Sequence, residues 1–228
     1  MILPNCWICG ELADSAEHMT KASDFRSVFG KVTQQAPVYR HNKNQPNELV
    51  RGVKADILKF APSLCKNCNN TLTQPDDRAW ERFSEKVRAM HFWLVADTRM
   101  PLERIFPKDA KESMLRIHLY FIKLLGCHAV ESNIPLPINH FALCIKHSIP
   151  HPNIRLVFVN IPSNTTRYKI QVGDIQTRNK NAKTVSAVWF YIVDTLGVIV
   201  SYNEPNNSRL TLHLGWHPED TNTTIMIR

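Results

Sequence analysis

The sequence contains no long apolar run, and this absence limits the kind of protein it can be. A helix needs about 18 consecutive apolar residues to cross a bilayer, and the most apolar helical candidate, residues 114–125, is interrupted by Arg116 and Lys123. The first ten residues lack the basic, apolar and small-residue regions of a secretory signal. Internal repeats and low-complexity tracts are also missing. We therefore expect a cytoplasmic protein, or a nuclear one in a eukaryote.

The chain has fewer acidic residues than basic ones. The chain has 20 Asp and Glu against 28 Lys and Arg, which gives a formal net charge of +8 and an isoelectric point near 9.3. A basic protein favours an anionic partner, with nucleic acid first and a membrane surface second. The 228 residues are 43% hydrophobic and 21% charged, so a disordered tail is excluded. We expect nucleic acid, and no membrane, as the partner.

Four of the six cysteines form two closely spaced pairs, Cys6/Cys9 and Cys65/Cys68. Disulfides are not expected in a reducing compartment, whereas two Cys-x2-Cys pairs supply the four soft ligands of a tetrahedral zinc ion. Gly10 suits the tight turn that such a pair needs. A redox pair of the thioredoxin kind would instead require a single pair in a β–α–β unit. We predict a structural zinc ion that takes no part in chemistry.

The predicted zinc site brings polar residues from distant positions together. Glu17 and His18 follow the first pair closely, and Asn69 directly follows Cys68. Histidine acts as a base near neutral pH, and carboxylate and amide oxygens suit Mg²⁺. Such a cation stabilises the charge on a scissile phosphate and its leaving oxygen. These are the groups that phosphodiester hydrolysis requires.

The order Cys-x2-Cys, acidic residue-His, Cys-x2-Cys-Asn resembles the zinc-containing HNH endonucleases, also called His-Me finger or ββα-metal nucleases. Phage junction-resolving and restriction enzymes belong to that family. The resemblance covers about residues 4–90 and implies a β-hairpin containing His18 with a helix after Asn69. It also implies that His18 is the general base and that Glu17 and Asn69 hold a catalytic Mg²⁺ or Mn²⁺. Asn70 is a second candidate ligand, and Asn69 could instead cap the helix.

The sequence departs from the usual family pattern in three respects. Glu17 stands where Asp is more frequent, and Met19-Thr20-Lys21 replaces the proline and glycines that often follow the histidine. The segment between His18 and Cys65 is also longer than usual. The first departure could weaken metal binding, and the last could add a substrate-binding loop.

That long segment is basic. Residues 21–60 hold eight Lys or Arg against three Asp or Glu. Basic side chains neutralise phosphates, with an affinity that falls as salt rises. The residues predicted to contact nucleic acid are Lys21, Arg40, Lys43 and Arg51. The alternative interpretation is a solvated loop whose charges keep the protein soluble.

The patterns predict an α+β fold. Residues 1–95 would form the zinc-stapled ββα-metal module, and residues 96–228 a helical connector and an antiparallel sheet packed on helices, of unknown role. Apolar spacing predicts helices over 22–29, 76–95 and 108–125, the last ended by Gly126. Predicted strands are 36–39, 140–146, 154–161, 167–173, 185–193, 196–202 and 209–215.

These features favour a metal-dependent endonuclease that cuts DNA in preference to RNA, of the kind found in restriction and phage-defence systems. The sequence does not give the oligomeric state, but cutting both strands usually needs two copies of a single-site enzyme, which would make a homodimer. Two other functions stay open. One is a zinc-finger module that binds nucleic acid without cutting it, and the other is a regulatory zinc protein whose basic surface meets a protein partner.

Overall fold

A computed structural model describes residues 4–42, 45–162, 169–181, 183–205, 215–220 and 222–228. The fold is α+β with antiparallel sheets, as predicted. The helices are α1 (Ala22–Phe29), α2 (Gln74–Ala89), α3 (His91–Ala96), α4 (Ala110–Glu131) and α5 (Ile138–His147). The strands are β1 (Val38–Arg40), β2 (Glu48–Val50), β3 (Arg99–Pro101), β4 (Ile154–Asn160), β5 (Ile170–Val172), β6 (Gln176–Lys180), β7 (Lys183–Val193), β8 (Leu196–Asn203) and β9 (Thr224–Met226).

The largest sheet has the order β4-β8-β7, and both β5 and β6 pair with the remaining edge of β7. A two-residue turn at Asp194 and Thr195 joins β7 to β8, with Asp194 at φ 53°. Positive φ at this position is typical of tight hairpins. Strand β8 is buried along most of its length, because the sheet lies against the helices. The described residues also form the hairpin β1–β2 and the pair β3–β9.

One apolar core joins the two halves of the chain. Trp80 of α2 stacks on Tyr120 of α4 with 5.5 Å between ring centroids, and it meets Tyr191 of β7 edge-on at 5.6 Å. Trp80 and Phe83, which the predicted spacing placed on one face of α2, are both fully buried. The predicted segments 1–95 and 96–228 therefore pack against a common set of side chains.

Two helix boundaries differ from the prediction. Helix α4 does not stop at Gly126 but continues to Glu131. A Cβ atom at Gly126 would lie 2.6 Å from the indole of Trp7, so this glycine permits close packing instead of ending the helix. The predicted helix 76–95 is divided at Met90 into α2 and α3.

The strand predictions for 154–161, 185–193 and 196–202 are confirmed, and those for 36–39 and 167–173 are confirmed in part. Residues 140–146 instead belong to α5, because a short apolar run does not distinguish a strand from a buried helix. Strand β6 was not predicted, since all its residues are exposed and no alternation marks it. The prediction for 209–215 lies, except for Gly215, outside the described residues.

Among the helices of the described segments, none is both long and apolar enough to traverse a bilayer.

Candidate functional site

The four paired cysteines form one cluster. Their sulfur atoms all lie within 4.8 Å of one another, and those of Cys9 and Cys65 are 3.5 Å apart. Tetrahedral zinc with Zn–S bonds of about 2.3 Å separates its sulfur ligands by about 3.8 Å. Cys6, Cys65 and Cys68 are buried, while Cys9 is the most exposed. The cluster could therefore hold a metal ion such as zinc.

Local backbone contacts shape both turns of this cluster. The Gly10 N–H donates to the Cys6 carbonyl at 2.8 Å, and Gly10 adopts φ 88°, which favours glycine. In the second pair the Cys68 N–H donates to the Cys65 sulfur at 3.3 Å and lowers the pKa of that thiol. Burial raises the pKa of Cys68. A bound cation would offset this cost by stabilising the thiolates.

Two extended segments and a helix follow one another beside the cluster. Residues 15–19 run antiparallel to residues 58–64, with the Ser15 N–H 2.9 Å from the Leu64 carbonyl and the Met19 N–H 2.8 Å from the Leu58 carbonyl. The chain then passes through a π-helical turn, Cys68–Leu72, into α2. The cysteine cluster thus joins the first extended segment to the start of the helix.

His18 lies on the partly exposed side of the first segment. Its Nε2 is 3.1 Å from the carbonyl oxygen of Val53. Because a carbonyl can only accept, Nε2 carries the hydrogen and Nδ1 keeps the lone pair. Burial lowers the pKa of His18, so the ring is neutral at pH 7. His18 can therefore accept a proton at Nδ1.

Glu17 points the other way, as alternation along an extended segment requires. Its carboxylate is buried and lies 3.2 Å from the ammonium of Lys123 on α4. Lys123 is fully buried and also contacts Asp77 of α2 at 2.7 Å. Burial raises the pKa of Glu17, while the charge of Lys123 opposes that shift. The cation that pairs with the Glu17 carboxylate in this structure is therefore the ammonium of Lys123.

This ion pair is part of a longer chain of charges. Asp77 also forms an ion pair with Lys21, whose ammonium lies 2.9 Å from the Asp77 carboxylate and 3.6 Å from that of Glu81. Sequence reasoning missed Lys123 and Asp77. A single lysine inside the most apolar helical run was the available signal, because a lysine in such a helix needs a buried partner.

Asn69 ties the start of the π-helical turn to the first extended segment. Its side chain is buried, and Nδ2 donates to the Ser15 hydroxyl at 2.9 Å. This contact places Asn69 two residues from Glu17 along the segment and leaves the amide oxygen as a possible ligand. Asn69 is not the N-cap of α2, a position that Thr73 occupies. The second candidate ligand, Asn70, is exposed.

The four predicted phosphate-binding residues differ in their surroundings. Lys21 is engaged by Asp77 and Glu81, and Arg40 donates to the Ile57 carbonyl. Arg51 is exposed. Lys43 lies outside the described residues. The exposed cations of this region that remain open to solvent include Lys31 and Lys54, and Lys54 directly follows the residue that orients His18.

The described part of the chain contains one group of three or more Cys, His, Asp or Glu residues close enough to hold a metal, the four-cysteine cluster. Glu17 and Asn69 offer one carboxylate and one amide, which is fewer ligands of these types than such a group requires. Comparison of the chain with protein-family models, with curated proteins and with solved structures found no match.

Proposed function

We propose that the chain is a metal-dependent endonuclease that hydrolyses phosphodiester bonds of nucleic acid, with DNA as the preferred substrate and His18 as the general base. One observation carries the proposal. The Val53 carbonyl holds the Nε2 hydrogen of His18 and leaves Nδ1 free to take a proton. The lowered pKa of His18 supports it, because the neutral ring is the competent form.

The arrangement around His18 also supports this function. Two antiparallel segments, a tetrathiolate cluster and a following helix are the parts expected of an HNH nuclease, and they lie in the expected order. Zinc is the metal we assign to the cluster, since four thiolates in a tetrahedron suit it. Cys6, Cys9, Cys65 and Cys68 would all bind such an ion, which would stabilise the fold and take no part in the chemistry.

The reaction follows from the tautomer of His18. A water molecule gives a proton to Nδ1, and its oxygen forms a bond to phosphorus. The bond from phosphorus to the leaving oxygen breaks, and that oxygen takes up a proton from solvent. Glu17 and His18 face opposite sides of the segment, so a divalent cation held by Glu17 and Asn69 would meet His18 only through the substrate, where it would supply positive charge to the phosphate and the leaving oxygen. Lys31, Arg51 and Lys54 would position the strand through its phosphates.

A second function is favoured by the surroundings of Glu17. The ammonium of Lys123 already provides positive charge at this carboxylate. A divalent cation would have to share Glu17 with Lys123 or displace it. A chain that keeps Lys123 in this position would bind nucleic acid through its basic surface without cutting it.

A cleavage assay separates the two functions. Supercoiled plasmid DNA is incubated with the protein and Mg²⁺ or Mn²⁺, and His18→Ala is compared with the parent and with His147→Ala, an exposed histidine at the end of α5. Loss of a general base lowers the rate by about 10²- to 10⁴-fold, and we expect this loss for His18→Ala alone. Equal cutting by His18→Ala would remove His18 from its role. Salt-sensitive DNA binding without cutting by any variant would favour the binding module.

A further inference from the structure

A pocket of about 280 Å³ opens at one end of the large sheet, between the start of β7 and the end of β8. Lys183 and Tyr202 line it from these strands. Tyr191, eight residues further along β7 than Lys183, accepts a hydrogen bond from the backbone of Lys21. A strand rises about 3.4 Å per residue, which separates the two positions by about 27 Å. The pocket is therefore distinct from the candidate site around His18.

One lining residue, His151, has a buried hydrogen-bond donor without a partner among the described residues. His151 is fully buried, and its Nδ1 accepts from the backbone N–H of Asn153 at 3.2 Å. Nε2 therefore carries the hydrogen, and it has no hydrogen-bond partner among the described residues. Burial lowers the pKa of His151 to about 3, so the ring is neutral at physiological pH. A buried donor of this kind is costly unless something accepts from it.

Several ring-bearing side chains line the pocket, and the lining has no net charge. The imidazole of His140 lies 4.3 Å from that of His151, centroid to centroid, and rigid proline rings, including Pro137, line the same space. Tyr202 contributes a further aromatic ring, 6.0 Å from His151. At the mouth Lys183 is paired with Glu204, so their charges cancel.

We propose that this pocket binds an uncharged planar heterocycle that carries a carbonyl acceptor, of the nucleobase or nucleoside class. The rings of His140 and Pro137 offer surfaces against which a planar ring can pack. The carbonyl would accept from Nε2–H of His151 and satisfy that donor. A net neutral lining disfavours an anion, which would lose its hydration without gaining an unpaired cation. The volume of about 280 Å³ lies just below the usual range of ligand pockets, about 300–1,000 Å³, so the pocket suits a ligand no larger than a single nucleoside.

Binding is tested on the full chain with five probes: uridine, thymidine, cytidine, adenosine and guanosine. Titration calorimetry gives the affinity, and nitrogen NMR of histidine-labelled protein reports on Nε2 of His151. We expect saturable binding of at least one probe and a shift of the His151 Nε2 resonance at saturation. His140→Ala removes a stacking surface and should weaken binding by up to about tenfold.

Two further variants make the test specific. Tyr202→Phe keeps the aromatic ring, and His147→Ala changes an exposed residue of α5 outside the pocket lining, so both should leave the affinity unchanged. An unmoved His151 resonance with all five probes would overturn the proposal. Binding that is as tight in His140→Ala as in the parent would also overturn it, since the probe would then lie elsewhere. The readout is binding and not cleavage, so the result is independent of the proposed nuclease function.

Discussion

The buried ammonium of Lys123 lies 3.2 Å from the carboxylate of Glu17 and 2.7 Å from that of Asp77. These contacts connect α4 with the segment that contains His18 and with α2. The two carboxylates and the lysine depend on one another, because an unpaired buried charge is far more costly than a paired one. The candidate catalytic segment is thereby held against the apolar core.

Replacing Lys123 with methionine should destabilise the protein strongly. Glu17 and Asp77 would lose their common partner, and breaking a buried ion pair typically costs about 3–5 kcal/mol of unfolding free energy. Urea unfolding at pH 7 measures the effect, with Lys111→Met, an exposed lysine on the same helix, as the matched control. A loss in Lys123→Met no larger than in the control would contradict the role of this cluster.

The same variant tests the competition between Lys123 and a divalent cation. Without the ammonium, Glu17 and Asp77 become available as oxygen ligands. We expect Mn²⁺ to raise the melting temperature of Lys123→Met more than that of the parent, because a ligand that binds the folded state stabilises it. An equal response of the two proteins would indicate that Lys123 does not exclude a cation.

Removal of one cluster cysteine should release the metal and unfold the N-terminal region. Structural zinc contributes about 10–16 kcal/mol of binding free energy in zinc-finger peptides, so Cys68→Ser should lower the unfolding free energy by several kcal/mol. Elemental analysis of the purified proteins should find zinc in the parent and in Cys144→Ser, whose buried thiol lies outside the cluster. Zinc content equal in Cys68→Ser and the parent would refute the assignment.

The pH dependence of cleavage should report the ionisation of His18. Its pKa is lowered chiefly by burial and also by the charges of nearby Lys59 and Lys21. The base is active when neutral, so kcat/KM should rise with pH and reach half of its plateau below pH 6.5. Lys59→Gln removes one of these charges and should move the midpoint of the pH profile upward. Lys66 instead pairs with Asp14 and is not among the charges that lower the pKa of His18, so Lys66→Gln should leave the midpoint unchanged. A midpoint unchanged by Lys59→Gln would argue against His18 as the titrating group.

Acid should destabilise the fold through His151. Its folded-state pKa is about 3, below the unfolded value near 6.5, so the unfolded chain binds the proton more readily. The stabilising contribution is complete above pH 6.5 and is lost as the pH falls toward 3, by at most about 1.4 kcal/mol per pH unit. The groups that face His151 are His140 on α5, His118 on α4 and His217.

The difference in unfolding free energy between the parent and His151→Phe isolates this contribution. It should shrink as the pH is lowered from 7 to 4, and the His151 ring should remain neutral in NMR spectra of the folded protein over that range. Protonation of the folded-state ring above pH 5 would disagree with its burial.

Gly126→Ala should destabilise α4, although alanine is the better helix former by about 1 kcal/mol. The added methyl group would overlap the indole of Trp7, and overpacking of this kind costs about 1–3 kcal/mol. Thermal unfolding measures the change. The same substitution in a Trp7→Leu background should cost less, and an equal cost in both backgrounds would mean that Trp7 is not the obstacle.

Much of the candidate site could be predicted because its signals are local. Cys6 and Cys9 are close enough in the chain for one turn to aim both sulfurs at one ion, and Cys65 and Cys68 repeat that spacing. Helix α1 begins and ends as predicted, because its apolar spacing and Gly30 lie within a single short segment. Patterns of this kind depend on neighbours along the chain, so they can be recognised in the sequence without knowledge of the fold.

Such local patterns could not predict contacts between segments that are distant in the chain. The sequence marked Glu17 as a metal ligand and Lys123 only as an interruption of an apolar helix, whereas the fold pairs the two side chains. The spacing predicts that Gly126 ends the helix, whereas in the fold Trp7 packs against this glycine. Residue spacing thus predicted the two cysteine turns of the cluster and most periodic elements, because those depend on backbone geometry over a few residues. The partner of each buried charge was set by tertiary packing, because desolvation selects whichever opposite charge the fold brings within reach.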